Sequence, residues 1–295
     1  MSNRYFFVRN CASIWSRRMR CSPRLHKRFF ATKALLVALL ASCGVACAQG
    51  KAAGSDAVSI TALRNPVDKS YPRMLAGMEL FEKRRHLAPA AQLRFKLLPR
   101  NRATNMQGIE LEIVGDSFAE PVAVAPDHTF TLERRPAALK EKASVRPNRK
   151  AGTMTWRAEI RTPGLPPNTR RLGDLRLECE VGMEAELISN TRPSLFGRIV
   201  DFIGQGPGYC RRAEPWYLFF ADRPIFSVAL VSGLRRQVLS VDSLYGGASR
   251  DPDWKSDLPY CDCEVLLDRT YFMPLGDPSW PDDTLVEFEY MDGGA

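Results

Sequence analysis

Histidine is scarce in this 295-residue chain: of three, only His86 and His128 lie beyond residue 48. That excludes a three-histidine metal centre there and leaves little for general acid–base work. Nucleophile and phosphate motifs are missing as well. No H-E-x-x-H, Walker loop or G-x-S-x-G occurs, and Gly246-Gly247-Ala248-Ser249 lacks the pattern of a nucleophile elbow. Gly204-Gln205-Gly206-Pro207-Gly208 lacks the spacing and context of a dinucleotide loop. Long apolar runs are absent too. The stretch from Ala34 to Leu40 falls well short of the roughly 20 residues a membrane span needs.

Acidic residues are absent from the first 48 positions, which hold nine Lys and Arg. A basic start, a short apolar run and the small residues Ala46-Cys47-Ala48 together predict an export signal over residues 1–48. Two cleavage points fit it. Cleavage after Ala48 leaves a soluble chain starting at Gln49. Cleavage after Ser42, in the lipobox-like Leu40-Ala41-Ser42-Cys43, leaves Cys43 as an acylated first residue. The stretch from Met19 alone would also make a compact signal. The whole chain has 42 Lys and Arg against 33 Asp and Glu, so removing the leader leaves 33 of each. A neutral mature chain gives no reason to expect nucleic acid as a partner. The location expected is the periplasm or cell envelope, with membrane contact only through a lipid at Cys43.

Beyond the leader stand four cysteines, Cys179, Cys210, Cys261 and Cys263. An even number in an oxidising compartment predicts disulfides. Cys261 and Cys263 lie two apart in a strand-like run, where a bond between them would close a strained ring. The expectation is that Cys179 and Cys210 each pair with one of those two. A single C-x-C with two isolated cysteines lacks the paired spacing of a zinc site. No metal or other cofactor is expected.

The patterning predicts a mainly β fold. Ser70 can cap a helix reaching to Arg85, with Tyr71, Met74, Leu75, Met78 and Phe81 on one stripe. From Gln92 the period becomes two. Leu93, Phe95 and Leu97 alternate with charged residues, as do Ile109, Leu111 and Ile113. Val122 and Val124 face Phe130 and Leu132 across Ala125-Pro126-Asp127-His128, read as a hairpin turn. Met154, Trp156, Ala158 and Ile160 make another strand, and Leu175, Leu177, Cys179 and Val181 a sixth. The architecture expected is one or two antiparallel β-sandwiches with an N-terminal helix and a short second helix. Residues 49–190 form the first domain, led by a possible strand at Val58 to Leu63. Residues 191–295 form a second β-rich region packed on it. In that region Leu195, Phe196, Ile199, Val200 and Ile203 suggest the short helix, and Ser232-Gly233 a hairpin between Phe226 to Val231 and Arg235 to Val241. Cys261, Cys263, Val265 and Leu267 alternate in a further strand, and Val286, Phe288 and Tyr290 close the chain.

The segment from Ile109 to Glu133, with alternating strands, a turn and the short strand Thr129-Phe130-Thr131-Leu132, resembles carboxypeptidase-regulatory-like (transthyretin-like) sandwich modules. The resemblance covers about 25 residues. It implies a non-catalytic accessory module and carries over no functional residue.

Charge is uneven along the mature chain. Residues 49–178 hold 23 basic and 14 acidic residues, and 179–295 hold 10 and 19. The simplest expectation is that the halves share a surface of mixed sign. Trp254 and Trp280 lie in loops rich in Pro and Asp, where exposed rings would stack on a sugar. Asp251, Asp253 and Asp257 form the densest acidic loop, without the order of a calcium loop. The function expected is a non-catalytic exported envelope protein, a binding or structural module whose partner is an envelope protein or glycan. Two alternatives remain: a carbohydrate-binding module using Trp254 and Trp280, and a hydrolase whose carboxylates converge only in the fold.

Overall fold

The structure is a computed structural model that describes residues 68–100, 103–150, 153–187, 206–212, 217–245 and 266–291. Outside them lie the leader with Cys43, the possible strand at 58–63 and the helix expected near residue 200. Trp254, Asp251, Asp253, Asp257, Cys261 and Cys263 lie outside them too. The described residues form thirteen strands, all paired antiparallel, and three α-helices, so the fold is mainly β.

Two sheets build the first half. One contains β1 (Lys69–Ser70), β6 (Ser144–Pro147), β3 (Leu111–Val114) and β4 (Ala119–Val122), in that order. The other contains β5 (Thr129–Phe130), β2 (Gln92–Pro99) and β7 (Met154–Arg161). The β2–β7 register sets Leu93 opposite Ile160, Phe95 opposite Ala158 and Leu97 opposite Trp156, so the apolar alternation of both strands meets on one face. Phe130 joins Phe95 and Trp156 there, with ring centroids 5.6 and 5.8 Å apart. Helix α1 (Tyr71–Lys83) starts at Ser70, whose hydroxyl accepts from the Arg73 amide. It buries Tyr71, Met74, Leu75 and Phe81 in the same core. Helix α2 (Pro136–Lys140) adds Ala138.

The turn at 125–128 does form: the His128 amide donates to Ala125 O at 2.8 Å, and His128 adopts φ +62°. The strands it joins do not pair with each other. β4 pairs with β3 and β5 with β2, so the turn carries the chain from one sheet to the next.

A third sheet contains β11 (Arg235–Val238), β10 (Ile225–Ser232), β13 (Leu285–Tyr290) and β8 (Thr169–Arg171). The β10–β11 hairpin turns at Gly233, whose φ of +57° suits a residue without a Cβ. The fourth pairs β12 (Thr270–Tyr271) with β9 (Phe219–Phe220). Leu267, expected to end a strand, lies in a 3₁₀ turn, Leu267–Arg269.

The largest correction to the sequence reading concerns Leu175 to Val181. The alternation there does not mark a strand; the segment lies in helix α3 (Leu172–Glu184). Leu177, Val181 and Ala185 follow at four-residue steps and enter the first core, whereas Leu172, Leu175 and Cys179 enter a second. That second core also holds Phe219, Ile225, Val228, Leu230, Tyr271, Val286 and Phe288. A helix with apolar stripes on two sides mimics a period of two. Its first amides are satisfied from outside, Leu172 N by Thr284 O and Gly173 N by Asp282 O, both at 2.9 Å. A Cβ on Gly173 would overlap the Leu87 carbonyl, so that approach needs glycine.

Candidate binding cleft

Polar residues of α3 point two ways, and each side meets arginines. Toward β7, Asp174 and Glu178 are one helical turn apart and cap an edge strand that no further strand among the described residues covers. Asp174 accepts from the Thr162 amide at 2.8 Å and its hydroxyl at 2.7 Å. Glu178 accepts from the Ile160 amide at 3.2 Å and from Arg170 at 2.6 Å, and Arg170 also donates to Ile160 O at 2.7 Å. The helix carboxylates and Arg170 therefore replace the missing strand's hydrogen bonds. Burial works against the Arg170 charge, but Glu178 and its neighbours outweigh it and raise Arg170 well above its usual value. Burial raises the phenols of Tyr217 and Tyr271 beside it and keeps them protonated. The Tyr217 hydroxyl donates to Glu178 O at 3.3 Å.

Next to this network Arg161 bonds Glu159 at 2.7 Å and Asp222 at 2.9 Å, and Lys96 lies 3.6 Å from Asp222. Burial tends to raise the Asp222 carboxyl, but Arg161 and Lys96 outweigh it and hold the carboxyl below the usual range. A hollow of about 100 Å³ opens here, with Arg161, Arg170, Asp222 and Tyr290 in its wall.

The other side of α3 floors a larger cleft of about 420 Å³, within the range of small-molecule sites. Arg84, Leu87, Arg176, Glu180, Cys210, Arg211, Leu275, Pro278, Trp280 and Asp282 are among its lining. Arg176 fixes one wall by donating to Leu275 O at 2.8 Å, to Asp277 O and Trp280 O at 2.9 Å, and to Asp282 at 2.5 Å. Arg84, just past α1, grips Glu180 with two bonds of 2.9 and 3.2 Å. Arg211 stands 3.6 Å from the same carboxylate with its side chain 61% exposed, while Glu180 is 3% exposed.

The opposite wall is the 3₁₀ turn Pro207–Arg211, tied to α3 by a disulfide between Cys179 and Cys210. This corrects the expected pairing. Cys179 and Cys210 bond each other, across 31 residues, rather than Cys261 or Cys263. The expected pairing rested on excluding a bond between Cys261 and Cys263; helix α3 instead brings Cys179, with Leu175, into the core that holds Cys210. Gly276 closes the seam, because a Cβ there would overlap the backbone of Arg211 and Arg212.

Trp280 is also corrected. It is 1% exposed rather than a free stacking ring, and Arg235 lies 3.6 Å over its centroid. Trp254, Asp251, Asp253 and Asp257 lie outside the described residues. Asp282 is held by Arg176, and Asp283 is exposed at the surface. His86 is exposed, while His128 is half-buried and hydrogen-bonded to Met106 O at 3.0 Å. The described residues bring no three His, Cys, Asp or Glu together as a metal would need, and no helix among them is long and apolar enough to cross a membrane.

The sequence reading missed Arg84, Arg176, Glu180 and Arg211. One signal for part of the set was available: Arg176 and Glu180 recur at four-residue spacing, as do Asp174 and Glu178. No family model, curated protein or solved structure matches this chain.

Proposed function

We propose that this chain is a non-catalytic exported module of the cell envelope, its sheets stacked as antiparallel sandwiches, and that the Glu180–Arg211 cleft receives its partner. The observation that carries the reading is the state of the cleft's carboxylates. Glu180 is held by Arg84 and Asp282 by Arg176, so both serve to fix arginines rather than to move protons. Three arginines against two carboxylates leave an excess of cationic hydrogen-bond donors in the cleft, which suits binding. The Cys179–Cys210 bond supports an oxidising compartment. The accessory-module role implied by the resemblance over residues 109–133 agrees with this reading. The partner is an envelope protein or glycan, and membrane contact arises only where cleavage after Ser42 leaves a lipid at Cys43.

A photo-crosslinking residue at the exposed rim position Pro278, with one at exposed Leu234 as control, tests the reading in native envelopes. A specific adduct from position 278 alone is the expected result. Equal labelling from both positions would remove the cleft from the proposal. A turnover lost in Glu180→Gln or Asp282→Asn would replace it with the hydrolase reading. Mass spectrometry of the mature N-terminus separates a Gln49 start from a lipidated Cys43, and an intact leader refutes export.

A further inference from the structure

Resting on the reading of this cleft as a binding site, we infer that its ligand presents a single carboxylate to Arg211 and lays an apolar body along Pro278 and Pro281. Charge decides the first half. Arg176 and Asp282 neutralise each other. Arg84 and Arg211 share the one carboxylate of Glu180, so the cleft keeps one excess positive charge. The two arginines are not equivalent. Arg84 spends two donors on Glu180 and is mostly covered, whereas Arg211 stands beyond hydrogen-bond reach of it. Among the described residues no hydrogen bond holds the Arg211 guanidinium, and its planar fork matches a carboxylate.

One negative charge is also the limit. A dianion would leave a net negative charge next to Glu180, whose side chain is 3% exposed. An amine is disfavoured by the excess cation. The second half follows from Pro278 and Pro281, the exposed apolar residues of the lining, since Leu275 and Trp280 are themselves buried. The position of Arg211 depends on the framework around it: it is the residue after the disulfide, and Gly276 packs directly on its backbone.

The test is calorimetric titration of the disulfide-intact protein purified from its envelope. The probes are N-acetyl-L-phenylalanine, its carboxamide, and phenyl phosphate as the dianion. The acid should bind at least about tenfold more tightly than the amide, the size expected for one charge-assisted hydrogen-bond pair. Arg211→Gln should abolish that preference while leaving the amide unchanged, and Arg211→Lys should restore part of it. Phenyl phosphate should bind more weakly than the acid. Because Arg211 is exposed, an unchanged melting temperature shows that the Arg211→Gln variant is still folded, and the amide then serves as the binding control. Equal binding of acid and amide, insensitivity to Arg211→Gln, tighter phosphate binding, or no binding of any probe would each overturn the inference. Adduct formation from position 278 is a separate readout, so the cleft's role as a partner site can survive any of these results or fail without them.

Discussion

The two sides of helix α3 use the same chemistry to opposite ends. On the β7 side, Arg170 and Glu178 are 4% and 6% exposed, and every partner comes from the protein itself. On the cleft side, Glu180 is equally buried, but one of its two arginines stands largely in water. A sealed arginine–carboxylate pair acts as framework, whereas at the cleft mouth no hydrogen bond among the described residues holds the Arg211 guanidinium. The difference is one of closure. Asp174, Glu178 and Arg170 complete the hydrogen bonds of an edge strand, while Glu180 meets side chains from α1 and the 3₁₀ turn that leave room between them.

The sharpest way to break that contrast is to open the sealed side. Arg170→Met leaves the Glu178 carboxylate buried without its partner and should cost about 3–5 kcal/mol, read as a fall in the urea midpoint. Replacing both residues with apolar ones should recover much of that loss; if it does not, the pair is doing more than satisfying the β7 edge.

The next effect falls on the cleft side. Cys179→Ala with Cys210→Ala removes a crosslink spanning 31 residues. The chain-entropy account gives that crosslink about 3.5 kcal/mol at 25 °C. Thermal unfolding measures the loss. Proton exchange of the 208–211 amides should rise more than that of β7, since only the former hang on the bond.

A smaller change is expected from Gly276→Ala. Its methyl would overlap the Arg211–Arg212 backbone and force the cleft wall outward, at about 1–3 kcal/mol. Unchanged stability and unchanged ligand binding together would mean the seam is looser than its geometry implies.

The smallest effect is electrostatic. Asp222 has its carboxyl lowered in the fold, so its ion pairs contribute fully above the ordinary carboxylate range near pH 3.9 and are lost as pH falls below it. Asp222→Asn should therefore cost a little stability at pH 7, and its difference from the parent should shrink as pH falls below about 4. Its side chain is 48% exposed, so solvent screening keeps the change small.

How much of this was legible varies with how local the signal is. The α1 stripe and its Ser70 cap, the alternation in β2, β7 and β13, and the Ser232-Gly233 turn are each carried by residues within a few positions of one another. A period of two or 3.6 is a property of the segment itself, and burying one face follows from it. Helix α3 violated the rule because it is buried on two sides. Its leucines at 175 and 177 serve different cores, and only the presence of two cores tells a helix from a strand there.

By itself, then, the order of residues determined the mainly β composition, the first helix and most strand positions, since these depend on neighbours in sequence. The tertiary structure decided the partner of Cys179, the burial of Trp280 and the existence of the cleft. The cleft draws on the end of α1, one face of α3, a turn some 30 residues on and a loop near residue 280. No pattern within any one of those segments encodes the distance to the others. That distance is set by how two hydrophobic cores pack against a shared helix.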